Sequence, residues 1–141
     1  MSRIKKKILQ HLAHDVYCRL GVSTVHGIGV FAIRSIPEGI DPLGSLVEAE
    51  EIKFDKSELK ALPKSVREQI KIFCYYRKNE VYISSMGMNT MNFAVYVNHS
   101  KTPNLRMKRS GAFETLRVIH KGEELFMDYD DSFGEEHIFD E

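Results

Sequence analysis

The sequence predicts a mainly β domain with a few short helices, and three observations carry that prediction. Short runs of β-branched and aromatic residues recur along the chain, each bounded by Gly, Pro, Ser or Asn. Helical spacing is confined to the N-terminus and to one polar stretch between residues 50 and 73. The length of 141 residues suits a single domain, enough to bury about two thirds of its unfolded surface without disulfides or metal.

Taken in order, Ile4, Ile8, Leu12 and Val16 recur every four positions and predict an amphipathic helix over residues 1–14, docked on the domain or on a partner. Lys5, Lys6 and Lys7 read as solvated charge on its wet side rather than as a nuclear address. Strands are predicted over Val16 to Leu20, Gly29 to Arg34 and Leu46 to Ala49, with a turn at Ile36-Pro37-Glu38-Gly39. From Glu50 to Phe73 the spacing is helical: Pro63 lies near a helix start, Ser65 and Glu68 resemble a capping box, and Val66, Ile70, Phe73 and Cys74 share a face. Glu80 to Ser84 is a further strand, and Met86, Met88 and Met91 read as core gap fillers or as soft contacts for a cofactor. A hairpin around Ser110-Gly111 joins 104–108 to 112–119, and a turn at 120–123 leads into a last strand, Glu124 to Tyr129.

Twenty bases balance twenty acids, which removes any global attraction to nucleic acid. The balance is uneven along the chain. Residues 1–20 hold five bases against one acid, whereas residues 122–141 hold nine acids and neither Lys nor Arg. Solvated termini explain both, and an acidic rim that attracts a Lys-rich peptide is the alternative for the C-terminus. Cys18 and Cys74 are the only cysteines and no Cys-x-x-Cys occurs, which argues against a disulfide framework or structural zinc. With no signal-peptide pattern and no apolar run long enough to span a bilayer, the expectation is a soluble cytoplasmic protein that is not secreted.

The most informative stretch is Asn92 to Asn104. An apolar run, Phe93 to Val97, stops abruptly at Asn98-His99-Ser100, just before Pro103. If that run is buried, the three polar side chains need backbone or ligand partners at the same depth, since each left unpaired costs roughly 1 to 3 kcal/mol. Two other stretches accompany it: Gly27-Ile28-Gly29 running into Val30-Phe31-Ala32, and Gly122-Glu123-Glu124-Leu125 ending in Asp128-Tyr129. Each is weak alone. Together and in this order they resemble the SET domain, the lysine methyltransferase family that uses S-adenosylmethionine, over about residues 16–133, and most resemble its minimal zinc-free members from bacteria and large DNA viruses.

The resemblance implies a SET-domain (β-clip) fold with pseudoknot-like threading of the C-terminus. It divides residues 15–141 into one SET domain with a variable insert at about 50–90 and a short zinc-free tail at about 130–141. It implies S-adenosylmethionine as cofactor and no metal. Gly27, Ile28 and Gly29 match the loop that brings backbone close to the cofactor. Asn98 matches its contact with the amino-acid end, and His99 a backbone contact with the adenine. Tyr129 matches the tyrosine beside the methyl-transfer point, the catalytic residue. Tyr96, Met127 and Phe133 fall where the substrate channel is lined, with His137 and Phe139 as further candidates in the tail.

Four departures qualify the match. Lys101 stands where many members have cysteine, Asp-Asp-Ser-Phe stands where a zinc cluster follows, and Val95-Tyr96 replaces a frequent Arg-Phe. Met127 stands where Phe or Tyr influences the number of methyl groups added, which implies tolerance of di- or trimethylation. The implied partner is a basic protein or peptide carrying the target lysine, in the nucleus if it is a histone, with no direct nucleic acid or membrane and a possible homodimer. The alternative is a catalytically silent module that holds a basic peptide or the cofactor. The chemical demand is that lysine be neutral: at a reference pKa near 10.4 only about one in 2,500 is neutral at pH 7, a cost of roughly 4.6 kcal/mol. An apolar channel lowers it by disfavouring the ammonium.

Overall fold

Ser2 and the four-residue spacing of Ile4, Ile8 and Leu12 set the first element in the computed structural model, which describes residues 2–47 and 49–133. Helix α1 spans Arg3–His14, and the Ser2 side chain caps it by accepting the Lys5 N–H at 3.3 Å. The helix buries no side chain against the domain: Ile4, Leu9 and Leu12 are 67, 51 and 57% exposed, so the predicted docking on the domain is corrected. No helix among the described residues is long and apolar enough to cross a membrane.

The chain divides into two compact units, residues 1–46 with 96–141, and residues 47–95. In the first, β1 (Cys18–Val22) and β2 (Ile28–Ala32) form an antiparallel hairpin with Gly21 opposite Gly29. A four-stranded sheet contains β6 (Asn98–His99), β7 (Leu105–Met107), β8 (Phe113–Thr115) and β9 (Phe126–Met127). Its order is β6-β9-β7-β8, with β9 parallel to both of its neighbours. Strands 98–99 and 105–107 are joined by a five-residue connection, 100–104, and the late strand β9 sits between them.

Asn104 holds that arrangement. It is 3% exposed; its Nδ2 donates to the Glu124 carbonyl at 2.9 Å and its Oδ1 accepts the Phe126 N–H at 2.8 Å. Both arms of the carboxamide are thereby used where an unpaired one would be costly. The core of this unit is Cys18, Val30, Ala32, Ile36, Val97, Leu105, Ile119, Leu125 and Met127, drawn from both sheets and the loops between them. Pairing of Ile36 with Ile119 and of Phe31 with Glu124 ties the hairpin to the segments around β9.

The second unit has the order β3-β5-β4, with β3 at Glu51–Asp55, β4 at Tyr75–Arg77 and β5 at Glu80–Ser84, and carries helix α2 at Lys64–Phe73. Three expectations are corrected here. The strand predicted at Leu46 to Ala49 does not form among its described residues, and β3 occupies the start of the stretch read as helix. Ile52 and Phe54 alternate with Glu51, Lys53 and Asp55, a period of two that sheet pairing with β5 rewards. Ser65 is not a cap, because α2 starts one residue earlier, after Pro63, without a side-chain cap bond. Strand β4 was not foreseen; its tyrosines Tyr75 and Tyr76 pair with Tyr82 and Val81. Ile70 is the buried residue of α2, whereas Val66 is 39% exposed. Met86 is half exposed, whereas Met88 and Met91 are half-buried.

Candidate active site

The residues picked from sequence in the first unit converge. The Phe93–Tyr96 segment is a 3-10 turn with Phe93 40% exposed, so the apolar run is buried only at its end, at Val97. From there β6 carries Asn98 inward, to 7% exposure. Its Nδ2 donates to the Glu124 carboxylate at 2.9 Å and faces the carbonyls of His26 at 3.0 Å and Ile28 at 3.3 Å. Three acceptors surround that atom, which fixes the carboxamide orientation without ambiguity. The other arm, Oδ1, receives no donor among the described residues.

The Gly27 to Gly29 loop reaches the same place. Ser23 N–H donates to the Gly27 carbonyl at 2.8 Å, and Gly27 has a φ of 49°, the left-handed region that side chains resist. A Cβ at Gly27 meets nothing within 4 Å, whereas one at Gly29 would stand 2.5 Å from the Glu124 Oε2 and 3.3 Å from the Asn98 Nδ2. Ile28, between them, is 45% exposed.

His99 and Tyr129 form the second half. The Nδ1 of His99 accepts the backbone N–H of Tyr129 at 3.0 Å, and the two rings lie 5.2 Å apart, tilted by 57°. The Tyr129 hydroxyl donates to the Val97 carbonyl. Tyr129 opens helix α3 (Tyr129–Phe133) rather than ending a strand as predicted. Asp128 turns the chain by accepting the Asp130 N–H at 3.0 Å. Burial pushes the Tyr129 phenol up to about 12 and the Cys18 thiol also up to about 12. Tyr129 is therefore a neutral hydrogen-bond donor near neutral pH, and it is no base there.

A group whose proton is held more tightly folded than unfolded stabilises the fold below its unfolded pKa, and that contribution fades as pH rises toward the folded value. The thiol of Cys18 starts from 9.0 and the phenol of Tyr129 from 10.0. The urea midpoint should hold up to about pH 9 and decline toward pH 12, with Tyr129 contributing at most about 3 kcal/mol. Tyr129→Phe should flatten that decline; a wild-type midpoint level across the interval overturns the assignment.

Tyr96 is half-buried against the core, and Met127 is 5% exposed within it. Phe133 ends α3, four positions after Tyr129. His137 and Phe139 lie outside the described residues. Lys101, in the position where the resembled family often has cysteine, sends its ammonium to Asp130 and, at 3.4 Å, to Asp128. Those two carboxylates and His99 are near enough to one another to hold a metal ion. Lys101 is already on both acids, and the Tyr129 N–H already occupies the His99 Nδ1.

Sequence reading passed over Ser23 and did not separate the two acids at 123 and 124. Glu123 bonds Arg117 at 2.9 Å and the His120 N–H at 2.8 Å, with the Arg117 bond first in holding its carboxyl below the ordinary value. Glu124 points the other way, into the site. The Glu-Glu repeat was visible, but which acid faces inward depends on where Phe31 pairs.

A hairpin bearing Gly-x-Gly, set beside a sheet whose ends supply Asn-His-Ser and Asp-Tyr, defines a SET-type domain. The chain belongs to the SET-domain family: the family profile matches residues 27–130, from the glycine loop through the segment after Tyr129. This is a family of lysine methyltransferases, so methyl transfer is the general class of activity. Among solved structures, a Plasmodium falciparum protein provisionally described as a histone methyltransferase shares the fold at 17% identity and a TM-score of 0.52, covering 85% of this chain and 98% of that one. No curated protein matches the sequence.

Proposed function

We propose that the protein transfers a methyl group from S-adenosylmethionine to the side-chain amine of a lysine in a basic protein. The observation that carries this reading is Asn98: a carboxamide 7% exposed, its nitrogen arm committed to three acceptors and its oxygen arm without a donor among the described residues. A buried acceptor of this kind calls for a donor from a ligand. The ammonium at the amino-acid end of the cofactor is such a donor, and the open space over Gly27 lies along the same loop.

The residues therefore fit the cofactor, with Gly27, Ile28 and Gly29, Asn98 and His99 as its holders. Bound there, it supplies an electron-poor methyl on a sulfonium, so the protein needs to align and desolvate more than to provide covalent machinery. Tyr129 holds its hydroxyl in place through Val97 and presents a neutral ring beside His99. The target amine reaches its neutral form by desolvation, because the neighbouring phenol takes no proton at neutral pH. The excess of acids over residues 122–141 favours a Lys-rich peptide, an attraction that weakens with salt. The exposed apolar side of α1 is the surface through which a homodimer would form.

Isothermal titration with S-adenosylmethionine, followed by a methylation screen of basic peptides, tests the reading. Saturable binding and lysine methylation support it; a folded protein that binds no cofactor even with peptide present overturns it.

A further inference from the structure

We infer that Glu124 is the positioning residue of the cofactor site, and that Gly29 is a glycine to make room for the Glu124 carboxylate rather than for the cofactor itself. The inference rests on the reading that the Asn98 oxygen meets the cofactor.

Five contacts carry it. The Oε2 of Glu124 accepts from the Asn98 Nδ2 at 2.9 Å and from the Ser23 hydroxyl at 3.1 Å, and its Oε1 accepts from the same hydroxyl at 2.8 Å. Ser23 in turn accepts the N–H groups of Val25 at 3.0 Å and His26 at 3.2 Å through its Oγ. One carboxylate thus fastens the 23–27 loop, at one end of the chain, to Asn98 on β6. No cation pairs with Glu124 among the described residues, so its hydrogen-bonding capacity is directed to these two side chains. Charge-assisted bonds of this type are about twice as strong as neutral ones, which suits a residue that must hold a carboxamide in one rotamer.

The backbone that carries the carboxylate is fixed on both sides, and the carboxylate itself is held by Asn98 and Ser23. Phe31 of β2 pairs with Glu124 in an isolated antiparallel bridge, the Asn104 Nδ2 donates to the Glu124 carbonyl at 2.9 Å, and the Leu125 N–H donates to the Val30 carbonyl at 2.8 Å. A Cβ on Gly29 would lie 2.5 Å from Oε2 and 2.8 Å from Cδ, distances no side chain tolerates. An alanine there must push the carboxylate off Asn98. Position 29 lacks the positive φ that Gly27 has, so alanine costs nothing in backbone strain.

The test is a set of cofactor titrations on the full chain: wild type, Asn98→Ala, Glu124→Ala, Glu124→Gln, Gly29→Ala and the pairs Asn98→Ala/Glu124→Ala and Gly29→Ala/Glu124→Ala. Glu124→Ala should weaken S-adenosylmethionine binding roughly 10-fold, and Glu124→Gln, which keeps an acceptor for Asn98, should stay within about 3-fold of wild type. The first pair should bind no more weakly than Asn98→Ala alone. Gly29→Ala should be as damaging as Glu124→Ala in the wild-type background and clearly milder when Glu124 is already alanine, where only the 3.3 Å approach to the Asn98 Nδ2 remains. A merely structural role would give additive losses and no rescue by Gln, and that result overturns the inference, as does Glu124→Ala binding within 2-fold of wild type while Asn98→Ala is impaired. If Glu124→Ala does not fold, Ser23→Ala carries the same cycle with Asn98→Ala, on the same criteria. Wild type that binds no cofactor removes the underlying reading, and the inference with it.

Discussion

Asn98→Asp should abolish cofactor binding, lowering the affinity for S-adenosylmethionine at least about 100-fold, roughly 2.7 kcal/mol. The change is nearly isosteric, so the loss is electrostatic. The Nδ2 of Asn98 donates to the Glu124 carboxylate at 2.9 Å, and the substitution puts a second carboxylate oxygen in its place. Two like charges at that distance in a half-buried site cannot both be ionised without a large penalty, so the pair retains a proton or separates. Facing the carbonyls of His26 and Ile28, the new oxygen would also meet acceptors where a donor stood.

The pH dependence follows from the sign. Repulsion raises the carboxyl pKa of the folded pair, so the variant is weakened above that raised value and regains stability as pH falls through it. Urea midpoints should therefore lie further below wild type at pH 8 than at pH 5, with cofactor titration read alongside. Asn98→Ala removes the same donor without adding charge, and its affinity loss should be the smaller of the two with no such pH trend. Equal, pH-independent losses for both variants would mean that Glu124 does not feel residue 98 as placed.

Tyr129→Phe should lower kcat about 100-fold while changing the cofactor Kd by less than about 3-fold. The ring stays, tilted against His99, and the backbone N–H that His99 accepts is untouched. What goes is one hydroxyl, neutral at working pH and held by the Val97 carbonyl. Because that hydroxyl is no base, the variant should keep the shape of the wild-type pH profile, with activity still rising as the substrate lysine loses its proton. The stability cost should be modest, about 1 kcal/mol for a net hydrogen bond. A variant with full kcat would confine the hydroxyl to a structural role, and one with a displaced pH profile would make Tyr129 a proton carrier after all.

What was readable in the sequence was local chemistry. The four-residue spacing of Ile4, Ile8 and Leu12 specifies α1, Ser110-Gly111 the β7-β8 turn, and the three motifs their family. All three act within a few residues, where propensity and turn geometry suffice. The sequence also placed the polar end of the Phe93 to Val97 run, although only Val97 is buried there.

What only the tertiary structure decided were facts set by pairing across long separations. Strand β3 forms because β5 supplies a partner for its period-two pattern, which polar composition alone had suggested was helical. Tyr129 leaves the sheet for a helical turn because Asp128 accepts the next N–H groups. The choice of Glu124 over Glu123 is made by register against Phe31, and Ser23 joins the site from 101 positions away. Residue types name the chemistry available, but a contact between two polar side chains exists only where backbone ladders bring them together, and those ladders are closed by the whole fold.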